Sequence, residues 1–158
     1  MGTDRLVEEL RGERDALFRV LDAVAPESMT TPGLVGEWSA RELIAHLGYW
    51  AGHAVEAIHA VETGHAGEFG ADQPSVDDVN ATVARIARQA SLATVRKREA
   101  ASVDAFDERL RGMDASLLAT RLPHHGLALE EAIREDGASH YREHADELRR
   151  VLGEQASG

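Results

Sequence analysis

Three histidines have the residue type and spacing needed to share one metal ion. His140 and His144 are four positions apart, so on a helix their rings project from one face, roughly 6 Å apart. His46 lies in an earlier helical segment beside Leu43 and Leu47, on the apolar face expected to point inward. Imidazole ligands without a thiolate suit Zn, Ni, Fe, Mn or Co, and leave coordination positions open for water or substrate. The pattern predicts a divalent-metal site formed by His46, His140 and His144.

A structural interpretation of the same residues stays open at this level. A histidine in an apolar helical stripe is commonly a hydrogen-bonded core residue, and spacing does not show whether the helices bring His46 close to the other two. In that case the chain would be a scaffold protein that dimerises through an apolar helix face. A homodimer is therefore one expected partner.

Two carboxylates flank the histidine pair on its helix. Asp136 lies one turn before His140, and Glu147 lies one turn beyond the pair. Either carboxylate could orient an imidazole through its free N–H or accept a proton from activated water. The alternative is that both are solvated helix charges. We take Asp136 and Glu147 as candidates to support the ligands.

Candidate substrate-binding residues follow His46 along its helix. Tyr49 and Trp50 could line a pocket beside His46, although Trp50 also continues the apolar stripe and could be a core residue. His53, one turn further on, is a candidate substitute ligand or pocket base. The remaining histidines are assigned no role: His59, His65, His124 and His125.

Length and composition limit the function classes. The chain has 158 residues, a net charge of −11 and no cysteine, and this length fits a single domain over residues 1–158. Without cysteine, the protein itself supplies no disulfide, thiolate ligand or catalytic thiol. The acidity argues against a nucleic-acid partner, because phosphates are bound by clustered Lys and Arg.

The apolar residues form no continuous run that would indicate a membrane partner. No stretch approaches 18 consecutive apolar residues, the length that a membrane span requires. The first ten residues carry acidic side chains where a signal peptide needs a basic stretch and an apolar run. We therefore expect a soluble, cytoplasmic protein that acts on a small molecule.

Helical periodicity dominates the chain, and strand signals are almost absent. A first stripe covers residues 7–24 and is closed by Pro26. A second helix covers residues 39–64 and starts with a capping-box pattern, in which the Ser39 hydroxyl accepts from the amide of Glu42 while the Glu42 side chain reaches back.

Two further helical stretches complete an all-α four-helix bundle. The third is predicted as one long helix over about residues 77–113, with a shift of register along it. The last covers residues 129–151, with a kink or break expected at Gly137. The loop at residues 64–75 could span roughly 40 Å, about the length of a 25-residue helix. A long crossover between helices two and three is therefore expected, with up-down-up-down topology as the alternative.

Two segments resemble the DinB-like superfamily, also called YfiT-like, of small four-helix bundles. They are residues 37–50, EWSARELIAHLGYW, and residues 140–145, HYREHA. The family pattern is a Trp-Ser/Thr start to the second helix, a histidine seven or eight residues later and His-x-x-x-His in the last helix. In detail the segments are most similar to the ClbS-like branch, which is associated with self-resistance to a reactive natural product. The resemblance implies a divalent metal held by His46, His140 and His144.

The resemblance also implies a range of reactions. Members of the superfamily include resistance hydrolases, and S-transferases or isomerases that use low-molecular-weight thiols such as mycothiol or bacillithiol. We expect a metal-dependent enzyme that opens or modifies an electrophilic small molecule, first as a detoxification hydrolase using metal-activated water. The alternatives are a thiol S-transferase or isomerase whose thiol is a cofactor, and a protein that sequesters the molecule without turnover.

Overall fold

The computed structural model describes residues 2–157, with side chains at residues 2–155. It is the all-α bundle that the sequence predicts, with one very short hairpin added. The helices are α1 Asp4–Leu21, α2 Ala40–Glu62, α3 Val76–Arg88, α4 Leu92–Gly112, α5 Leu129–Asp136 and α6 Ala138–Ser157. Single 3₁₀ turns lie at Pro26–Met29 and Ala115–Ala119, and β1 Arg121–Leu122 pairs antiparallel with β2 Leu127–Ala128.

Helices α2 and α4 run parallel to each other. In the first half of α2, a Cβ atom built on Gly48 would lie 3.0 Å from Glu99 Cα. Toward the ends of both helices, Arg109 Nη1 donates to Glu62 Oε1 over 3.3 Å. Two parallel helices require the intervening chain to return along the bundle. Up-down-up-down topology is therefore excluded, and a crossover between α2 and α4 is present. The sequence analysis assigned this crossover to the loop at residues 64–75, and that part of the prediction is wrong, because a further helix forms most of the return.

Helix α3 forms most of this return. Trp50 Nε1 donates to Asn80 Oδ1 over 2.9 Å, and Arg41 Nη1 donates to the Ala90 carbonyl over 3.3 Å. Contacts that move toward the start of α2 as the chain proceeds show that α3 is antiparallel to α2. The segment at residues 63–75 therefore only turns the chain, and α3 carries it back.

The prediction of one helix over residues 77–113 is wrong. The chain leaves the helical path at residues 89–91, and α4 begins afresh after Ser91, whose Oγ accepts from the Thr94 amide over 3.0 Å. The physical reason is that α3 and α4 pack on α2 in opposite directions. The shift of apolar register seen in the sequence marks this turn.

The predicted capping box at the start of α2 is also wrong. Ser39 accepts no hydrogen bond from the helix amides. Its hydroxyl instead donates to the Glu42 carboxylate. This carboxylate is fully buried and also pairs with the guanidinium groups of Arg41 and Arg88, each over 3.4 Å. Glu42 is therefore an ion-paired core residue that ties α2 to α3.

The predicted break at Gly137 is confirmed. Gly137 separates α5 from α6. A Cβ atom built there would lie 2.8 Å from the Ile133 carbonyl oxygen and 2.9 Å from Phe106 Cε2. The break places Asp136 at the end of α5 and His140 in the first turn of α6.

A second buried ion-pair network is centred on Glu99 of α4. Arg14 of α1 donates to both Glu99 carboxylate oxygens of α4 over 2.7 Å, and the Tyr141 hydroxyl of α6 donates to Glu99 Oε1 over 2.6 Å. Glu99 and Tyr141 are buried, so the network joins three helices around α2. Within the described chain, no helix has the length and apolarity required to cross a bilayer.

Candidate metal centre

Three imidazole nitrogens meet between α2 and α6. His46 Nε2 lies 2.8 Å from His140 Nε2, and His144 Nε2 lies 3.2 Å from His140 Nε2. The ligand atoms all lie within 4.8 Å of one another. Two nitrogens bound about 2.1 Å from one cation are about 3.0 to 3.4 Å apart at octahedral or tetrahedral angles. These separations fit a single divalent cation, which the three side chains could hold.

Hydrogen bonding among the three rings is a poorer explanation of this geometry. His140 Nε2 faces both His46 Nε2 and His144 Nε2, and one imidazole nitrogen carries either a proton or a lone pair. If it carries a proton, two acceptors compete for that proton, and if it carries a lone pair, two donors compete for it. A cation at the centre would use all three lone pairs at once, so the donor set fits a metal ion.

The environment keeps two of the rings neutral. Burial, with the neighbouring His144 adding to it, lowers the pKa of His46 to about 4. Burial likewise lowers the pKa of His140 to about 3, with His46 and His144 contributing. Neutral imidazole is the form that binds metal. At neutral pH these two ligands would not have to lose a proton before they bind the metal.

Glu147 contacts the third ring. His144 Nδ1 donates to Glu147 Oε1 over 2.9 Å, which leaves the lone pair of His144 on Nε2 and directed at the other two rings. Such a carboxylate commonly orients a metal-binding histidine. Nδ1 of His46 and of His140 is buried with no hydrogen-bond partner among the described residues. Of the three rings, only His144 has such a carboxylate.

Asp136 contacts a different histidine from the one beside it in sequence. His53 Nδ1 donates to Asp136 Oδ2 over 2.7 Å, and His53 is only 5% exposed. The structure thus brings Asp136 of α5 and His53 of α2 together, apart from the His46, His140 and His144 cluster. The Asp136 contact seen here is with His53.

A cavity of about 380 Å³ connects the two groups of histidines. Its lining includes two of the three clustered histidines and the His53–Asp136 pair; the lining residues are His46, Trp50, His53, Gln73, Val76, Asn80, His125, Glu135, Asp136 and His140. Trp50, a candidate substrate-binding residue, is at the wall of this cavity. Tyr49 instead is 41% exposed and lines a separate cavity of about 250 Å³ between α2, α3 and α4.

Several lining residues were missed by the sequence analysis. Gln73 comes from the turn after α2, Asn80 from α3, and His125 from the loop between the two strands. His125 stacks on Phe69, with ring centroids 4.9 Å apart. None of these residues lies on the stripes that marked the other candidates. Only the tertiary packing of α3 and two loops over α2 brings them to the cavity.

Trp38 is a further missed neighbour of the cluster. Its ring centroid lies 4.9 Å from that of His46, and it is half-buried at the start of α2. The sequence analysis used Trp38 only as part of a family pattern. The contact limits how far the His46 ring can turn.

No curated protein matches the chain. A solved structure described as "Crystal structure of Uncharacterised protein" from Escherichia coli UTI89 is similar with a TM-score of 0.79 and 15% sequence identity. The match covers 98% of this chain and 94% of that one. At this identity the likeness shows the fold.

The family is shown by a match to the DinB superfamily model over residues 9–148. The match includes α2 and most of α6, and with them all three clustered histidines. It does not separate the ClbS-like branch from others. The family match, the bundle topology and the histidine cluster agree, and the chain belongs to the DinB superfamily, whose members commonly bind metal.

Proposed function

We propose that this protein is a divalent-metal-dependent enzyme that attacks an electrophilic small molecule with water, as a detoxification hydrolase. One observation carries the proposal: three imidazole nitrogens converge, and two of the three histidines, His46 and His140, line a cavity large enough for a small substrate. A buried histidine cluster with a structural role would have no need of such an opening. Catalytic sites typically have three protein ligands and one open position.

The roles of the chain's own residues follow from their positions. His46, His140 and His144 would hold the cation, and Glu147 would fix the tautomer of His144. A divalent cation in such a site supplies Lewis acidity, which brings the pKa of water toward neutrality. The rest of the cavity would position the substrate.

The cavity favours a compact substrate with both apolar and polar parts. Its volume of about 380 Å³ is near the lower end of the usual range for small-molecule sites. Trp50 and Val76 offer apolar surface, whereas Gln73 and Asn80 offer amide groups. None of the described residues that line it is Lys or Arg, so the cavity has no fixed cationic side chain to select a phosphate or carboxylate.

Hydrolysis is tested with purified, tag-free protein and an activated ester, p-nitrophenyl acetate. We expect the protein loaded with Zn, Ni, Fe, Mn or Co to release p-nitrophenol over many turnovers in buffer alone. The chelated protein and the His144→Ala variant should lose this rate. Turnover that is equal in the loaded and chelated proteins would contradict the proposal.

The same preparations separate the alternatives. Because the chain has no cysteine, an S-transferase or isomerase needs an added thiol. Turnover of 1-chloro-2,4-dinitrobenzene that occurs only with a low-molecular-weight thiol would indicate a thiol transferase and not a hydrolase. Capture of one electrophile per chain without product release would instead indicate a sequestering protein.

A role in self-resistance, of the ClbS-like kind, is the finer part of the proposal. It is supported by the sequence details of residues 46–50 and 140–144. It predicts that the encoding gene lies beside genes for the synthesis of a reactive natural product. Such a role would place the protein in the cytoplasm, where the product is made. The homodimer expectation stays a prediction, which sedimentation analysis of the purified protein tests.

A further inference from the structure

The strongest feature outside the histidine cluster is the pair formed by His53 and Asp136. The pair joins α2 to the end of α5, and its hydrogen bond of 2.7 Å is short for a nitrogen donor. Both residues line the cavity that also contains His46 and His140.

The hydrogen bonds define the tautomer of His53. An ionised carboxylate only accepts, so the proton bonded to Asp136 must reside on Nδ1 of His53. The other ring nitrogen, Nε2, lies 3.0 Å from the amide nitrogen of Gln73. An amide nitrogen only donates, so Nε2 is the acceptor. In this tautomer His53 is a base, and its Nε2 lone pair accepts a hydrogen bond from one uncharged donor.

The hydrogen bond between Gln73 and His53 is easily exchanged for one to water. Gln73 is exposed and belongs to the turn between α2 and α3, whereas His53 is held within α2. Replacing its amide by a water molecule that donates to Nε2 exchanges one neutral hydrogen bond for another. Water entering the cavity can therefore reach the basic nitrogen at small cost.

The charges around His53 favour its protonated form. Burial opposes protonation, but the hydrogen bond and charge of Asp136 outweigh it, and the charge of Glu56 adds to them, so the pKa of His53 is raised. His125 faces His53 at 5.4 Å between ring centroids, and burial followed by the proximity of His53 lowers the pKa of His125.

Trp50, Phe69 and Glu135, further described residues near the pair, are aromatic or acidic. The rings of Trp50 and Phe69 pack against His53, with centroids 4.9 and 5.1 Å away. Glu135 lies beside Asp136 at the cavity, and burial, with Asp136 adding to it, raises the pKa of Glu135. The surroundings of His53 are therefore apolar or acidic, which suits a site that accepts a proton.

We propose that His53 is the catalytic base of this cavity and that Asp136 positions it. Nε2 of His53 takes one proton from water as the water oxygen bonds to the electrophilic carbon of the substrate. The bond from that carbon to its leaving group breaks with its electron pair, and the proton passes from Nε2 to the leaving group. The net reaction adds one water molecule across the bond that breaks.

This inference rests on the proposed function, because it assigns the proton transfer of that reaction. It differs from a ligand-supporting role for Asp136, which would act on the histidine cluster. The two roles predict different responses of the metal content and of the His53 ring, so they can be measured separately.

The first measurement follows the histidine ring protons of the zinc-loaded protein by NMR across a pH titration. We expect the His53 pKa to lie above the ordinary value and to fall by about one pH unit or more in Asp136→Asn, with the bound metal unchanged. Glu147→Gln is the matched control, since it removes a carboxylate from His144 and should leave the His53 pKa as it is. An unchanged His53 pKa in the Asp136→Asn variant, or loss of metal from this variant, would contradict the role of Asp136 as the residue that positions His53.

The second measurement is the pH profile for hydrolysis of p-nitrophenyl acetate. We expect His53→Gln to lose about 100-fold in rate with full metal content, and the exposed His59→Gln on the same helix to keep the wild-type rate. A wild-type rate in His53→Gln would overturn the base while leaving the proposed function intact. No metal-dependent turnover in the wild type would overturn the proposed function, and the NMR titration would still decide whether Asp136 raises the basicity of His53.

Discussion

Histidines that share one cavity differ here because their partners differ. His46 and His140 face other imidazoles and have no carboxylate, so burial keeps them neutral with lowered pKa values of about 4 and about 3. His53 has Asp136 on Nδ1, and its pKa is raised. Environments that move the pKa values of like groups apart in this way are typical of active sites, where they give one group the role of acid or base and another a different role.

At this scale, Glu147 is expected to control metal affinity. Glu147→Gln removes the charged acceptor of the His144 Nδ1 proton and should weaken metal binding about 10- to 100-fold. Competition with a chromophoric chelator measures the change. Glu143→Gln, an exposed position on the same helix, is the control and should bind metal like the wild type. Equal affinity in all three proteins would show that Glu147 is only a surface charge.

Helix elements are joined through a few specific contacts. Glu99 of α4 receives Arg14 from α1 and Tyr141 from α6, and α2 approaches the same residue closely at Gly48. An ion pair of this kind is costly to break from one side, because Arg14, whose side chain is only 20% exposed, is left without its carboxylate partner.

We therefore expect Glu99→Ala to lower the free energy of unfolding by about 3 to 5 kcal/mol. Urea denaturation followed by circular dichroism measures this. Glu108→Ala, at an exposed position of the same helix, should change the stability only slightly. A loss for Glu99→Ala no larger than for Glu108→Ala would contradict the role given to the network.

The break between α5 and α6 gives a second prediction for the elements. Gly137→Ala places a methyl group against the Ile133 carbonyl and the Phe106 ring, so we expect a loss of about 1 to 3 kcal/mol from overpacking. The same substitution at Gly12, where a Cβ meets nothing within 4 Å in α1, should be neutral or stabilise by up to about 1 kcal/mol. Thermal unfolding compares the two, and a stabilised Gly137→Ala would show that the break is not enforced by packing.

Sequence periodicity was sufficient to predict α1, α2 and the stretch that forms α5 and α6, but not the division of the third helical stretch into α3 and α4. The stripes of α2 and α6 are continuous, so the inward placement of His46, His140 and His144 could be predicted. The turn at residues 89–91 could not, because its signal, a capping Ser91, is weaker than the helical pattern on both sides. The partners of His53 come from α5 and a turn, and nothing in their local sequence indicates that they meet.

Across the whole molecule, the histidine cluster links two different helices of the bundle. His46 belongs to α2, and His140 and His144 belong to α6. These helices are far apart in sequence, so a cation held by all three would bind only the folded chain. Ligand binding to the native state alone stabilises it.

Metal should therefore raise the unfolding temperature. Zinc at a free concentration of 100 times its dissociation constant is expected to add about 2.7 kcal/mol of stability, and His46→Ala should lose this gain. Because the chain carries a net charge of −11, magnesium at the same concentration is the control for general screening. A gain of equal size with magnesium, or in His46→Ala, would indicate charge screening and no specific site.

The most direct measurement for the whole account is the metal content of the tag-free protein after reconstitution and removal of free ions. We predict about one equivalent of a divalent metal per chain, lost from both His46→Ala and His144→Ala while circular dichroism shows that each variant stays helical. A wild-type protein without bound metal, or variants that keep the full equivalent, would contradict the assignment of these histidines as its ligands.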